Sequence, residues 1–410
     1  MIRTFKYKVY ASKHTRELSR LVTSSGFLWN HVVRLSKRYY KLYHKSLSPT
    51  HLQSHMAKLA KRSPYWAKLY SQSVQEVCQR YYKALSEHFK QQHRGFPRVH
   101  SPHREGSFVF KGKMGYSLYT EGKHGILIIN KLNKQWKFKF KLTRPWGEDI
   151  KNVIVRRDCD NCLYVCVVCD VPDMHLERAE SGAIGVDFGM KTFLTASDGN
   201  KYGIPDYHKE ALSEMKKADR SYSLKRNAKA YGTSFKRARK ARQKAHRAVA
   251  DKRSDFHWKL AHELCRHNRF IALETLNIKG MQRHKRWGRK VSTLGFSEFV
   301  EKLKCVAAKY GTDVVEIDRW YASSQTCSEC GYKYEGTKDL KVREWDCPCC
   351  GAHHDRDVNA ARNILERGMK EYGEGVPRGG SGSKTAVGES GRCNRDSVER
   401  PRHRLRIPRL

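Results

Sequence analysis

Two pairs of cysteines strongly constrain how the carboxyl-terminal part of this chain can fold. The sequence contains two C-x-x-C pairs, sixteen residues apart and each followed by glycine: Cys327, Cys330, Cys347 and Cys350. Two such turns can present four thiolates to a tetrahedral zinc ion, and the glycines permit tight turns that point backbone amides at sulfur. The spacing predicts a structural zinc ribbon over residues 325–352, in which we interpret the additional Cys349 as a non-ligand.

The charge of the chain indicates the kind of partner that it binds. The sequence has 82 Lys and Arg against 41 Asp and Glu, a formal net charge of +41. An excess of this size implies a polyanionic partner, and nucleic acid is the first candidate. No apolar run approaches the ~18 residues of a membrane-spanning helix, and no secretory signal begins the chain, so we expect no membrane partner. Thirteen cysteines without export features indicate a reducing compartment, and we expect a cytoplasmic protein.

The amino-terminal part of the chain is predicted to be a β-barrel that carries helices as an insertion. Residues 4–12 alternate with period two, as a strand does, and most of residues 13–94 has helical spacing. A second helix is predicted to begin with Ser63 as its cap and Pro64 at its first position. We therefore assign residues 1–12 and 95–178 to the barrel.

Two segments of the predicted barrel have informative patterns. The segment WKFKFKL (residues 136–142) places aromatic residues on one face and lysines on the other. Residues 152–171 read as a hairpin that turns at residues 158–161. This hairpin holds four cysteines, which we interpret as half-buried strand residues rather than as a second metal site: Cys159, Cys162, Cys166 and Cys169. Alternation along the strand would send Cys166 and Cys169 to opposite faces.

Residues 179–370 have an α/β pattern. Short apolar segments (AIGVDFG, TFLTASDGNKYG, FIALETL and TDVVEID) alternate with long helical stretches. Residues 216–253 hold fifteen Lys or Arg against two acidic residues. A solvated helical hairpin would explain the helices but not the one-sided charge, so we favour a face that contacts a nucleic-acid backbone. Residues 371–410 are rich in Gly, Ser and Arg without an apolar period, and we expect them to be disordered.

Three acidic residues lie at the ends of the best-patterned elements of this α/β region. Asp187 ends the apolar run AIGVD, Glu274 ends FIALE, and Asp357 begins an amphipathic helix. Converging carboxylates would repel one another unless they surround cations, and their hard oxygens suit Mg²⁺ or Mn²⁺. A pair of such ions can activate water for hydrolysis of a phosphodiester. Taken singly, Asp357 is also explained as a helix cap, Asp187 as a turn residue and Glu274 as a surface charge.

The order of several motifs resembles that of a known family. GVDFGMKTFLTASDG, IALETLNIKGM, SSQTCSECG, VREWDCPCCG and HDRDVNAARNI resemble the split RuvC nuclease and inserted zinc ribbon of TnpB, the transposon-encoded RNA-guided nuclease related to type V CRISPR effectors. In the amino-terminal half, SVQEVCQRYYKALSEHFK followed by GFPR is similar to the recognition helices leading into the wedge barrel of that family. The resemblance covers about residues 1–370.

The resemblance implies a domain organisation. It implies an α/β plus β-barrel multidomain fold, with a RuvC/RNase H-like nuclease domain at residues 179–370 that carries the zinc ribbon. The wedge barrel would hold the helical recognition domain, residues 13–94, as its insertion. The resemblance also implies a prokaryotic, nucleoid-associated protein whose partners are a guide RNA from the transposon end and a DNA target, both double-stranded and single-stranded.

The resemblance also implies a site. Asp187, Glu274 and Asp357 would be the catalytic acids and would bind Mg²⁺ or Mn²⁺, and DNA would be cut beside a short motif. Asp355 would be a cap or a supporting residue. We expect a single acidic cleft to cut each DNA strand in turn.

Three other functions remain open at this point. A DNA-strand transferase would join ends as well as hydrolyse, and a DNA-binding repressor, RNA-guided or not, would bind without nicking. A guide-free resolvase or nuclease would cut branched DNA in the absence of RNA.

Overall fold

The computed structural model describes most of the first 373 residues in a series of ranges. These are residues 1–63, 66, 69–90, 95–103, 106–112, 115–131, 134–158, 161–173, 175–177, 179–229, 231–285, 287–339 and 341–373. The chain divides into two compact units, one made of Met1–Leu176 and Ile204–Lys259 and the other of Glu177–Gly203 and the residues from Leu260 onward. The domain boundaries given above stay a prediction.

In the described residues, the first unit contains seven strands, three helices that lie between the first two of these strands in sequence, and two later helices. The strands are β1 (Ile2–Lys8), β2 (Gly106–Lys111), β3 (Tyr116–Glu121), β4 (His124–Lys131), β5 (Lys134–Lys141), β6 (Asp149–Arg157) and β7 (Leu163–Asp170). The helices are α1 (Thr15–Tyr43), α2 (Pro49–Arg62), α3 (Ser71–Lys90), α4 (Asp206–Asn227) and α5 (Thr233–His267), the last of which continues into the second unit.

The strands of this unit form two antiparallel sheets. The order in one is β1-β7-β6-β2 and in the other β3-β4-β5. The sheets meet where Val9 bridges Phe140 and where the Tyr10 amide donates to the Lys139 carbonyl oxygen over 2.9 Å. Phe138 and Phe140 are fully buried while the lysines beside them are exposed, which confirms the predicted alternation of WKFKFKL. One hydrophobic core includes residues of both sheets and of α1, α2 and α3.

One predicted helix start is wrong. Helix α2 begins at Pro49 with Ser48 as its cap, and the Ser48 side chain accepts a hydrogen bond from the His51 amide over 3.3 Å. Ser63 instead ends this helix, with an extended backbone at φ −99° and ψ 115°. A residue that precedes proline is disfavoured in the helical conformation, so Ser63 stops the helix that Ser48 started. Pro64 itself lies outside the described residues.

β6 ends at Arg157 and β7 begins at Leu163, on either side of the predicted turn, of which residues 159 and 160 lie outside the described residues. The Asp158 amide donates to the Cys162 carbonyl oxygen over 3.0 Å, and Asn161 adopts a left-handed conformation at φ 63°. Cys162 is half-buried as predicted, but Cys166 and Cys169 are buried, with 6% and 0% exposure. They are more deeply buried than predicted because both faces of β7 are covered, as the burial of successive residues along the strand shows. Cys159 lies outside the described residues.

The basic stretch at residues 216–253 lies on α4 and α5, and most of its Lys and Arg residues are exposed. The largely buried Asp158 carboxylate connects α5 to the sheet. It accepts hydrogen bonds from Lys6 over 3.0 Å, from Arg156 over 2.9 Å and from Arg247 of α5. The guanidinium of Arg247 also lies 4.8 Å from the centre of the Tyr164 ring.

The second unit is built on a five-stranded mixed sheet. Its strands are β8 (Ala183–Phe188), β9 (Leu194–Ala196), β10 (Lys201–Tyr202), β11 (Phe270–Glu274) and β12 (Asp313–Ile317), in the order β10-β9-β8-β11-β12. β8, β11 and β12 are parallel, and β9 and β10 are antiparallel. The other elements are α6 (Ile278–Arg283), α7 (Gly288–Leu294), α8 (Phe296–Tyr310), β13 (Glu344–Asp346), β14 (His353–Asp355) and α9 (Arg356–Gly373).

Helix α9 packs against β8 and β11, and two glycines allow the close approach. A Cβ atom on Gly185 of β8 would lie 2.1 Å from the Ala361 carbonyl oxygen of α9. On Gly368 of α9, a Cβ would lie 2.6 Å from the Cβ of Ala272. Distances of this kind exclude larger side chains, so glycine at these positions fixes how near the helix comes to the sheet.

Among the described helices, none combines the length and the apolar composition that a membrane span requires. The first three residues of the predicted disordered tail, 371–373, instead form the end of α9. The remaining residues of the tail, 374–410, lie outside the described residues.

Candidate active site and metal centre

Asp187 and Glu274 lie side by side at one edge of the mixed sheet. β8 and β11 are parallel, and Val186 is the register partner of Leu273, so the next residue of each strand is an acid. Both side chains are partly buried, and the two carboxyl groups are hydrogen-bonded to each other. The carboxyl ends of neighbouring parallel strands meet at one edge of a sheet, which explains why acids 87 residues apart in sequence become neighbours.

The surroundings of this pair favour the protonated carboxyl form. Burial raises the pKa of Asp187 well above its ordinary value, and the charges of Glu274 and Asp357 raise it further. Burial also raises the pKa of Glu274 to about 6, against an opposing contribution from its hydrogen bond with Asp187. Without a cation, burial and the neighbouring negative charges therefore both favour protonation of Asp187.

Asp357 lies in the first turn of α9, close enough to Asp187 for its charge to act on that carboxyl group. Both of its carboxylate oxygens lie 3.4 Å from the guanidinium group of Arg343, the residue just before β13. The structure thus brings all three predicted acids to one region, with Asp187 and Glu274 as the close pair. Arg343 is a cation beside these acids that the sequence analysis did not single out.

Asp355 has a different part in this region. One of its oxygens accepts hydrogen bonds from the backbone amides of Asp357 over 3.0 Å and Val358 over 3.1 Å. The other oxygen accepts from Lys201 over 2.6 Å. Burial opposes ionisation of Asp355, but Lys201 and the two amides hold its pKa below the ordinary value. Asp355 is therefore the cap of α9.

The three acids fit a divalent cation by the chemistry of their donors. Carboxylate oxygens are the ligands that Mg²⁺ and Mn²⁺ prefer, and a cation would relieve the repulsion that raises the pKa of Asp187. Asp187, Glu274 and Asp357 would hold it. The three carboxylates are less tightly gathered than the four cysteines, which are the one group in the described ranges whose ligand atoms all lie within 4.8 Å of one another.

The four predicted zinc ligands come together at the ends of two similar turns. The Sγ atoms of Cys330 and Cys347 are 3.6 Å apart, and those of Cys327 and Cys350 are 3.7 Å apart. Gly331 and Gly351 follow the pairs with left-handed φ angles of 75° and 73°, as the predicted turns require. This arrangement fits a tetrahedral zinc ion. Cys349 is exposed and does not belong to the cluster.

His354 is a further residue of this centre that the sequence analysis missed. Its Nε2 atom lies 3.0 Å from the Cys327 Sγ, and its ring packs 4.7 Å from that of Trp345. The side chain is buried, at 3% exposure. An imidazole N–H in this position can donate to a thiolate and orient it.

Two buried asparagines join the cysteine turns to the helix that carries Asp357. Asn359 accepts from the Ser328 amide over 2.9 Å and donates to the Thr326 carbonyl oxygen over 2.7 Å. Asn363 donates to the carbonyl oxygens of Ser323, over 2.8 Å, and Thr326, over 2.6 Å. The apolar period of the sequence predicted this helix but did not predict that its two asparagines are buried. Polar residues one turn apart on the apolar side of a helix were the signal that could have revealed them.

Comparisons with known proteins agree with this organisation. The family model of the Cas12f1-like TNB domain matches residues 296–364, and the OrfB_IS605 model, described as "Probable transposase", matches residues 166–285. A Streptomyces pristinaespiralis protein named "Putative RNA-guided DNA endonuclease" is 28% identical over 417 residues, which cover 100% of this chain and 98% of that protein. "TnpB-like protein L770" of Acanthamoeba polyphaga mimivirus is 31% identical over 246 residues, 57% of this chain and 46% of that protein. The chain thus spans about half the length of this viral relative.

Solved structures share the fold. The Cas12f1 chain of a complex with sgRNA and target DNA superimposes with a TM-score of 0.58 at 14% identity, covering 89% of this chain and 98% of that one. The CRISPR-Cas_phi3 RNA-guided endonuclease gives 0.52 at 9% identity, covering 93% and 94%. These likenesses show a fold in common with Cas12f and Cas12 φ-type chains. The family models and the curated relatives, taken with this shared fold, support the TnpB family for this chain.

Proposed function

We propose that this protein is a metal-dependent, RNA-guided DNA endonuclease encoded by a transposon. The observation that carries the proposal is the acidic site, where Asp187 and Glu274 are neighbours on parallel strands and Asp357 approaches from α9. A net charge of +41 supports a nucleic-acid partner, and the relatives named above support DNA as the substrate and RNA as the guide.

The proposal extends to the domains. The mixed sheet with α9 on it supports a RuvC/RNase H-like nuclease domain at residues 179–370, with the zinc ribbon at residues 325–352. The antiparallel sheets of the first unit support a wedge-type barrel. Helices α1, α2 and α3, which lie between β1 and β2 in sequence, support a recognition insertion.

Each acid has a distinct part in the proposed chemistry. Asp187 and Asp357 would ligate the cations, and Glu274 would be a ligand or the base that orients the attacking water. Bound Mg²⁺ or Mn²⁺ supplies a Lewis acid that stabilises the developing charge on the phosphodiester oxygens. Burial disfavours the ionised forms of Asp187 and Glu274, and nearby positive charge would favour them. Asp355 holds the start of α9, and through it the position of Asp357.

Guide RNA and DNA would bind mainly through phosphates. The exposed Lys and Arg residues of α4 and α5 form a surface that suits a phosphate backbone. Pairing with the guide would select the DNA sequence, and the protein would read a short motif beside the target.

The test is cleavage of a plasmid library that has a randomised flank beside a fixed target. Protein co-expressed with the RNA of its own locus, carrying a matching guide, is supplied with Mg²⁺. We expect guide-dependent cutting with a defined flank preference, which Asp187→Ala abolishes while RNA and target binding remain. Asp357→Asn should also abolish cutting, whereas the matched variant Asp355→Asn, which keeps a capping side chain, should cut.

Other outcomes would support other functions. Binding of RNA and target without any cutting would favour a repressor, and joined DNA ends would favour a strand transferase. Cutting that survives ribonuclease treatment of the purified protein would indicate a guide-free nuclease. Loss of both binding and cutting in Asp187→Ala would contradict the assignment of this residue to the chemistry.

A further inference from the structure

An exposed tryptophan lies just beyond the edge of the sheet that holds the acids. Trp320 is 77% exposed, more than any other large hydrophobic residue in the described part of the chain. Single exposed hydrophobic residues are common on protein surfaces and often have no function. Three observations separate Trp320 from that ordinary case: its position, the rigidity of its loop and its stacking partner.

Trp320 follows the third of the three parallel strands whose carboxyl ends form the edge. β12 ends at Ile317, and Ile317 is the register partner of Glu274. Three residues span at most about 11 Å of extended chain, and neighbouring strands lie about 5 Å apart. The Cα atom of Trp320 is therefore within about 16 Å of that of Glu274, a distance of roughly five nucleotides at about 3.4 Å per nucleotide.

The loop that carries Trp320 is held in a defined turn. The Asp318 carboxylate accepts a hydrogen bond from the Trp320 amide over 3.0 Å, and the Asp318 carbonyl oxygen accepts from the Tyr321 amide over 3.2 Å. The Ser323 amide then donates to the Tyr321 carbonyl oxygen over 2.9 Å. These bonds hold the backbone from which the indole projects, which is the kind of support a binding platform needs.

The environment of the ring suits an aromatic ligand. The guanidinium carbon of Arg319 lies 4.6 Å from the centre of the Trp320 ring. A cation over one face of an indole leaves the other face available, and adds a positive charge where a phosphate backbone would pass. Bases of single-stranded nucleic acid stack on aromatic side chains with little dependence on sequence.

We propose that Trp320 is a stacking site for one nucleobase of the single strand that enters the acidic cleft. Stacking fixes the register of the strand, so that a particular phosphodiester lies at Asp187, Glu274 and Asp357. Arg319 supports the indole and attracts the backbone. The inference rests on the proposed nuclease function, and it adds a nucleobase-binding residue outside the acids and the cysteine cluster.

The first test detects stacking without any cutting. Single-stranded DNA with 5-iododeoxyuridine at successive positions is bound to the protein in EDTA, irradiated, and the cross-linked peptides are identified by mass spectrometry. We expect a cross-link at Trp320 from a narrow set of positions, and its loss in Trp320→Ala. Cross-links that form only elsewhere would overturn the proposal, and this result does not depend on whether the protein cuts DNA.

The second test measures register in the guided reaction. Trp320→Ala should slow single-turnover cutting by about 5- to 150-fold, the range expected for loss of one stacked base, while Trp320→Phe retains most of the rate. An abasic nucleotide at one position within about five nucleotides of the cut should slow the wild type equally and should add little to Trp320→Ala. Tyr332→Ala removes another exposed aromatic residue of the same unit and should cut normally.

The outcomes separate the two proposals. Equal rates for the wild type and Trp320→Ala would overturn the stacking site and leave the nuclease function intact. A wild type that cuts no guided target would contradict the nuclease function, and the cross-linking result would still decide the stacking site. Fully additive effects of the abasic nucleotide and Trp320→Ala would show that the indole does not contact that base.

Discussion

Replacing Glu274 with glutamine should stabilise the metal-free protein at neutral pH. Burial raises the pKa of Glu274 to about 6 from its ordinary 4.5, so the folded protein holds a proton that the unfolded chain releases at lower pH. Stability is therefore lost as pH rises from about 4.5 to about 6, and the loss persists above that range. Glutamine keeps the shape of the side chain and cannot ionise.

The magnitude follows from the two pKa values. The difference between 4.5 and about 6 corresponds to about 2 kcal/mol of unfolding free energy. For a cooperative unit of 150–250 residues, this is a rise in Tm of roughly 4–8 °C in the variant at pH 7. At pH 4 the glutamate of the wild type is protonated in both states, and the two proteins should unfold at nearly the same temperature.

Thermal unfolding in EDTA, measured from pH 4 to pH 8, tests this prediction. The exposed Glu301→Gln serves as the matched control in the same unit, and its difference from the wild type should stay small at every pH. Mg²⁺ should reverse the order at pH 7, because the cation stabilises the ionised wild-type site more than the variant site. A Glu274→Gln variant that is less stable than the wild type at pH 7 in EDTA, or a difference independent of pH, would refute the reasoning.

Three further perturbations test the scaffold around the site. Gly185→Ala places a Cβ 2.1 Å from a backbone carbonyl oxygen of α9 and should lower the free energy of unfolding by about 1–3 kcal/mol, measured by thermal unfolding. The control Gly203→Ala adds its Cβ to open space and should leave stability almost unchanged. Equal Tm values for the two variants would contradict the close packing at Gly185. Elemental analysis should find less zinc in Cys347→Ser than in the wild type, and this variant should unfold at a lower temperature. The control Cys349→Ser should keep its zinc. A full complement of zinc in Cys347→Ser would exclude the predicted ligand set. Arg343→Gln removes a half-exposed charge 3.4 Å from Asp357 and should lower the free energy of unfolding by no more than about 1 kcal/mol. We expect the variant to bind the target as tightly as the wild type and to cut it more slowly in a single turnover. An unchanged rate would show that the contact has no part in cutting.

The sequence was most informative where local spacing alone decides geometry. The C-x-x-C pairs with their glycines predicted the four-cysteine cluster because each turn is built from residues close in sequence. Alternation predicted the buried and exposed faces of β5, and apolar runs predicted the strands whose ends hold Asp187 and Glu274. That these two acids are adjacent depends on which strands pair, and no local pattern states that β8 lies beside β11.

Contacts between distant segments account for what the sequence did not predict. Arg343 and Lys201 were two among 82 basic residues, and only the folded chain shows that they contact Asp357 and Asp355. Ser48 and Ser63 both precede proline, and the same dipeptide can start a helix or follow the end of one. Whether Ser63 starts a helix or ends one depends on whether the residues before it are already helical. Their apolar pattern did not predict α2 clearly enough to decide this.

The two aspartates of the motif HDRDVNAARNI have identical side chains but different roles, because they occupy different positions at the start of α9. The first backbone amides of a helix have no partner within it, and an acceptor just before the helix satisfies them. Asp355 does so with one oxygen, and Lys201 contacts the other. Asp357 is inside the first turn, where its own amide is already bonded to Asp355 and its side chain points away from the helix axis, toward Arg343 and the charge of Asp187. Exchanging the roles would leave the amides of α9 unsatisfied, so the spacing of two residues makes the second aspartate the one available to a cation.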